Sequence, residues 1–281
     1  MLQADPNTDD PGRRFDRTLR LFGPEGFARL RKAHVMVIGC GGVGSWAAEA
    51  VVRSAVGRLT LIDFDTVCVR NFNRQLQALA GNVGKLKVEV LAERLRLANP
   101  EARIDAVAKP FSEESHAELL ADRPDFLIDA IDHITSKCFL ISHCRANGIP
   151  LVVSTGSGSR VDPALIRVTD LGRTEIDPLA KAVRKILRTK YGFPRKGLFG
   201  VPAVCSLEEP LEPQDPGGES DCKSRCVCPG GQSDFQCCVK KSVVLGTAAF
   251  VTGAFGLACA SVAVRAIAGG RPVPGKAGTG V

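Results

Sequence analysis

Aromatic residues are scarce, 5% of 281 positions, with a single Trp and a single Tyr. The four histidines, His34, His116, His133 and His143, fall in no triad or metal-ligand spacing. No internal repeat is evident, which sets aside solenoid and propeller architectures. Residues 1–14 are polar and hold no apolar segment of the kind a secretory signal needs. The 11 cysteines are odd in number, so a reducing, cytoplasmic setting with mostly free thiols is expected. Acidic residues are the minority, 30 against 37 basic ones, for a net charge of +7. That permits an anionic partner without identifying one. The remainder is ordinary globular composition, 44% hydrophobic and 24% charged. It excludes a mostly disordered chain, a collagen-like repeat and a small disulfide scaffold, and the length suffices for a large core.

Short apolar runs alternate with helical patterns. His34–Gly39, Arg58–Asp63, Arg103–Ala108, Asp125–Ala130 and Pro150–Thr155 read as buried strands. Val43–Ala55, Gly84–Ala98, Glu113–Ala121 and Thr135–Asn147 read as the helices between them. Such alternation predicts an α/β fold, a Rossmann-like, doubly wound, mostly parallel sheet, with a C-terminal helical and loop elaboration. The expected organisation is a flexible tail over 1–12, a nucleotide-binding domain over 13–170 and the elaboration over 171–281. Ala164–Thr169 reads as an edge strand at the end of the domain, and in the elaboration Pro178–Lys190 forms a basic helix. Residues 207–238 form a Cys-rich loop, and 242–264 form an apolar helix.

Gly39-Cys40-Gly41-Gly42-Val43-Gly44 follows the first strand and opens a helix. Glycines there let the chain turn tightly and let a phosphate approach the helix N-terminus, whose free N–H groups favour anions. Asp63 and Asp65 follow the second strand, where an acid accepts ribose hydroxyls. Asn71, Arg74 and Lys87 come next, then Asp132 after the fourth strand. Hydride transfer has no use for clustered cations and a further acid near the phosphates. Attack at the α-phosphorus of ATP does, because charge develops there. Arg74 and Lys87 supply the cations, and Asp132 is a candidate ligand for Mg²⁺ opposite the leaving pyrophosphate.

GCGGVGS, LIDFDTV, NFNRQ, NVGKLK and DAID, in this order, resemble the ubiquitin-activating-enzyme-like adenylating proteins of the ThiF/MoeB/HesA family. The resemblance implies that ATP is held by Gly42, Asp63, Asn71, Arg74 and Lys87, and that a carboxylate is activated beside Asp132. Arg14-Phe15-Asp16-Arg17 is similar to a family motif whose second arginine reaches the partner subunit's ATP. It thus implies a homodimer with Arg17 acting in trans. RFDRTLRLFG, PLVVSTGSG and VTDLGRTEIDPLA resemble the branch of the family that dehydrates N6-threonylcarbamoyladenosine beside the anticodon of tRNA. An activator of a ubiquitin-like or sulfur-carrier protein is the alternative within the family, and a non-catalytic nucleotide-binding scaffold the alternative outside it. A sulfur-transfer partner protein is also compatible with the resemblance.

Residues 181–196 contain seven cations and no acid. Lys181, Arg184, Lys185 and Arg188 fall on one helix face, and Tyr191 and Phe193 are placed to stack on a base. That stripe is a candidate tRNA phosphate contact. Cys222, Cys226, Cys228, Cys237 and Cys238 lack any C-x-x-C pair, so structural zinc is not expected. Cys205 reads as a small buried residue. Ser242–Val264 carries no charge and has the length of a membrane span. Its small residues fit a buried interface helix better, for instance at a dimer, with membrane contact as the alternative.

Overall fold

The aliphatic runs become strands because both faces of the sheet are covered. The structure is a computed structural model that describes residues 13–214 and 245–269. An N-terminal helix, α1 (Asp16–Lys32), leads into β1 (His34–Ile38), α2 (Gly44–Arg53) and β2 (Arg58–Ile62). Then follow α3 (Lys87–Ala98), β3 (Arg103–Val107), α4 (His116–Leu119), β4 (Phe126–Asp129), α5 (Ile134–Ala146) and β5 (Leu151–Ser154). The chain continues through β6 (Ile166–Asp170), α6 (Pro178–Lys190), β7 (Pro202–Ser206) and α7 (Ala249–Ala268). The sheet order is β3-β2-β1-β4-β5-β7-β6. All neighbours are parallel except β6, which runs antiparallel to β7 at the edge.

Strand parity decides which core each residue joins. Val35 and Val37 of β1 enter a core with α2, α3 and α7, while Met36 and Ile38 enter the opposite core with α5 and α6. Every residue of β1 is buried, as expected of a central parallel strand. β1 lies between β2 and β4, so the strand order reverses there and opens a crevice at the carboxyl ends of the strands.

Three elements depart from the sequence expectation. α1 is a further helix, kinked where Gly23 takes φ +70° ahead of Pro24. β7 is a further strand, inserted between β5 and β6, so the boundary expected at residue 170 falls between two paired strands. The charge-free segment is neither a dimer face nor a lipid face along its buried side. Among the described residues, α7 is the one helix long and apolar enough to cross a membrane, yet 56% of that span is buried within this chain. Gly253 and Gly256 lie against Trp46 of α2, and a Cβ on Gly256 would stand 2.4 Å from the Val43 carbonyl oxygen. Small residues permit that approach of two backbones. The tail 1–12, residues 242–244 and the five clustered cysteines lie outside the described residues.

Candidate nucleotide site

The loop after β1 is held from three sides. The Gly39 N–H donates to the Ile62 carbonyl at 2.8 Å. The Cys40 N–H donates to Asp63 Oδ2 at 2.6 Å, and Gln77 Nε2 donates to the Cys40 carbonyl at 2.6 Å. Gly39 takes φ +91°, and a Cβ there would meet the Ala130 carbonyl oxygen at 2.6 Å. A Cβ on Gly44 would lie 1.7 Å from the Gly39 carbonyl oxygen, so neither position admits a side chain. No side chain caps α2. Its N-terminal amides therefore stand at the loop as a partial positive charge suited to an anion.

Asp63 holds the loop as well as facing the crevice, since its Oδ1 accepts the Asp65 N–H at 2.8 Å. Burial pushes its pKa up against the opposing charge of Lys87. Lys87 is brought back to Asp65 by the turn before α3. Its N–H donates to the Asp65 carbonyl at 3.0 Å, and its ammonium pairs with Asp65 Oδ2 at 2.7 Å. Burial lowers the Lys87 pKa, but Asp63 and Asp65 outweigh it and the net shift is upward, so Lys87 is a retained cation. One of its three ammonium hydrogens is committed to Asp65, which leaves donors for a phosphate. Arg74 donates to the Arg70 carbonyl and to Asn73 Oδ1, each at 2.9 Å. Burial lowers its pKa while the charge of Asp132 opposes that shift. Asn71 is buried and accepts the Cys68 N–H through Oδ1 at 2.9 Å.

These groups share one cavity of about 640 Å³, walled by Gly39, Gly41, Gly42, Asp63, Asp65, Asn71, Arg74, Lys87 and Asp132. Gly44 sits behind the loop. Arg17 is exposed on α1 and does not line its own chain's cavity. The basic stripe divides in two. Lys181 and Lys185 are exposed, whereas Arg184 donates to Thr174 and Arg188 donates to the Pro194 carbonyl at 3.3 Å. The Arg188 guanidinium also lies 5.2 Å from the centre of the Phe199 ring. Phe193 is not free to stack on a base: it is buried, with its ring centre 5.0 Å from that of Phe199. Hydrophobic burial takes the ring because α6 needs an apolar floor. Cys205 is buried in β7, and burial raises its pKa to about 11.

Sequence reasoning missed several members. Lys137 and Asp129 form a fully buried pair at 2.7 Å beneath the turn that carries Asp132, and Asp129 Oδ1 accepts the Ile131 N–H at 3.0 Å. A lone lysine at a core position of α5 was the available signal. His133, which its place after Asp132 marks as a structural histidine able to line the site, does both: it caps α5 by accepting the Ser136 N–H and lines the cavity. The far wall, Ser154–Gly158 with Leu245, Thr247 and Thr252, comes from distant segments that no local pattern joins.

A glycine loop and a strand-end acid at the crevice where strand order reverses define a Rossmann-like nucleotide-binding protein. The ThiF family description matches residues 15–277, and the chain belongs to that family. It is 41% identical to a tRNA threonylcarbamoyladenosine dehydratase of Escherichia coli over 254 residues, 90% of this chain and 92% of that one. A protein of the same name from Haemophilus influenzae is 44% identical over 208 residues, 73% and 80% of the two chains. The crystal structure of the E. coli dehydratase in complex with ATP matches with a TM-score of 0.77 at 39% identity, covering 90% of this chain and 93% of that one.

Proposed function

We propose that this chain is an ATP-dependent tRNA-modifying enzyme that dehydrates N6-threonylcarbamoyladenosine beside the anticodon. The carrying observation is the single cavity that gathers the glycine loop, Asp63, Arg74, Lys87 and Asp132, in a chain similar to those dehydratases over most of its length. ATP supplies an adenylyl group for the substrate carboxylate. Ring closure by an internal nitrogen or oxygen then releases AMP, so the elements of water leave with AMP and pyrophosphate.

This chain's own groups do the positioning. The glycine loop and the α2 amides receive phosphate oxygens. Asp63 offers the remaining lone pairs of its carboxylate to the ribose. Arg74 and Lys87 stabilise charge that grows in the transition state. Asp132 is the residue that would hold Mg²⁺. Among the described residues no three acidic, His or Cys groups converge on a metal position, so phosphates and water would complete the shell. A homodimer would bring Arg17 to the neighbouring cavity, in keeping with its exposure and its distance from its own. The exposed Lys181 and Lys185, with Arg184 and Arg188 as a braced second row, make α6 the proposed tRNA contact. A cytoplasmic place of action suits that substrate. The test is nucleoside mass spectrometry of tRNA incubated with protein, ATP and Mg²⁺. Loss of one water from the threonylcarbamoyl nucleoside supports the proposal, and an unchanged nucleoside with intact protein overturns it.

A further inference from the structure

Arg160 and Asp177 form an ion pair at 3.4 Å, with side-chain exposures of 2% and 0%. Asp177 Oδ1 caps α6 by accepting the Ala180 N–H at 2.8 Å. Its Oδ2 accepts the Thr155 hydroxyl and the Gly156 N–H, both at 2.9 Å. Arg160 also donates to the carbonyls of Gly156 at 2.6 Å and Gly158 at 3.1 Å. One carboxylate therefore ties the first turn of α6 to the far wall of the nucleotide cavity. The fit is close: a Cβ on Gly156 would stand 3.2 Å from Asp177 Oδ2.

The backbone is strained at both ends of this tie. Ser159, before Arg160, has φ +59°, and Ile176, before Asp177, has φ +63°. Non-glycine residues avoid that region, β-branched ones most of all, and persist there only where their surroundings hold them. Each strained residue delivers one member of the same pair. Buried ion pairs are poor sources of stability because desolvation offsets the attraction; what this pair supplies is the set of hydrogen bonds that joins Thr155, Gly156 and Gly158 to the start of α6.

We propose that Asp177, braced by Arg160, is a positioning residue that couples α6 to the wall Thr155–Gly158, so that RNA phosphate on the exposed lysines of α6 alters the affinity of the cavity for ATP. This rests on the assignment of α6 as the tRNA contact. Binding linkage is reciprocal, so ATP alters tRNA affinity by the same factor.

The test is calorimetric titration of ATP with Mg²⁺ into the full chain, alone and saturated with an unmodified tRNA transcript that cannot react. In the wild type the transcript should change the ATP Kd by about fivefold or more. In Asp177→Asn the change should fall below about twofold, while ATP and tRNA each bind separately within about threefold of wild type. The amide keeps an acceptor for Ala180 but turns an N–H₂ group toward the Thr155 and Gly156 donors. Asp177→Asn also leaves the Arg160 charge buried alone. Arg160→Met/Asp177→Asn, which buries no net charge, is therefore the second variant, with the same loss of coupling expected. Full coupling in either folded variant overturns the inference. So does a wild type that binds both ligands without coupling. A wild type that binds no tRNA overturns the assignment of α6, and the inference with it.

Discussion

α6 and α7 both follow residue 170 and are used in opposite ways. α6 buries a narrow stripe, Ala180, Val183 and Leu187, and leaves Lys181 and Lys185 exposed. α7 has one charged residue, Arg265 near its C-terminal end, and buries more than half its length. The first is a surface laid on the core that takes Met36 and Ile38 of β1; the second is part of the opposite core and braces the glycine loop from behind through Val43 and Trp46. Charge pattern predicts which face of a helix meets water. It does not say what an uncharged helix will cover, because a dimer, a bilayer and the chain's own α2 are equally apolar partners.

The sharpest way to break this contrast is Gly256→Val on α7. A Cβ there stands 2.8 Å from Trp46 Cβ as well as against the Val43 carbonyl. The expected loss is about 3 kcal/mol or more, because overpacking here meets backbone rather than a movable side chain. Urea denaturation measures it, and unchanged stability would show that α7 is not packed on α2 as described.

Next in size is Asp132→Asn, which leaves the fold intact and lowers turnover by about 10²-fold or more. Rapid-quench kinetics and tRNA binding should separate, with the first falling and the second held. Equal losses would move Asp132 out of the chemistry and into tRNA binding.

Lys87→Ala removes a charge-assisted contact worth roughly 1.5–3 kcal/mol, or about ten- to 150-fold in ATP-dependent rate. The partly exposed Asp65 partner would lose its counter-charge too, so Lys87→Arg serves as the check on charge alone. An unaltered rate in the alanine variant would mean that Lys87 only neutralises Asp65.

The smallest effect belongs to the surface of α6. Lys181→Gln/Lys185→Gln should flatten the salt dependence of tRNA binding by about 1.4 to 1.8 units of log K against log salt, with ATP affinity and stability unchanged. Filter binding at several salt concentrations reads the slope. Coinciding slopes would make α6 an ordinary solvated face, and the contrast with α7 would then concern burial alone.

What the sequence by itself determined is local or ordered along the chain. The strand–glycine–helix start at Gly39–Gly44, the acid after β2 and the succession Asn71, Arg74, Lys87, Asp132 were legible. Glycine at a forbidden φ and apolar runs between two covered faces leave direct traces in residue type. Tertiary structure alone decided the rest. It inserted β7 between β5 and β6, a pairing that no run of five residues announces. It buried Phe193 beneath α6 and tied Lys87 to Asp65. It also matched Arg160 with Asp177 across the far wall, and set α7 against the glycine loop. Apart from Phe193, which packs on nearby Phe199, each of these is a contact between segments distant in sequence. Its free energy comes from shape and charge that exist only once the sheet has assembled.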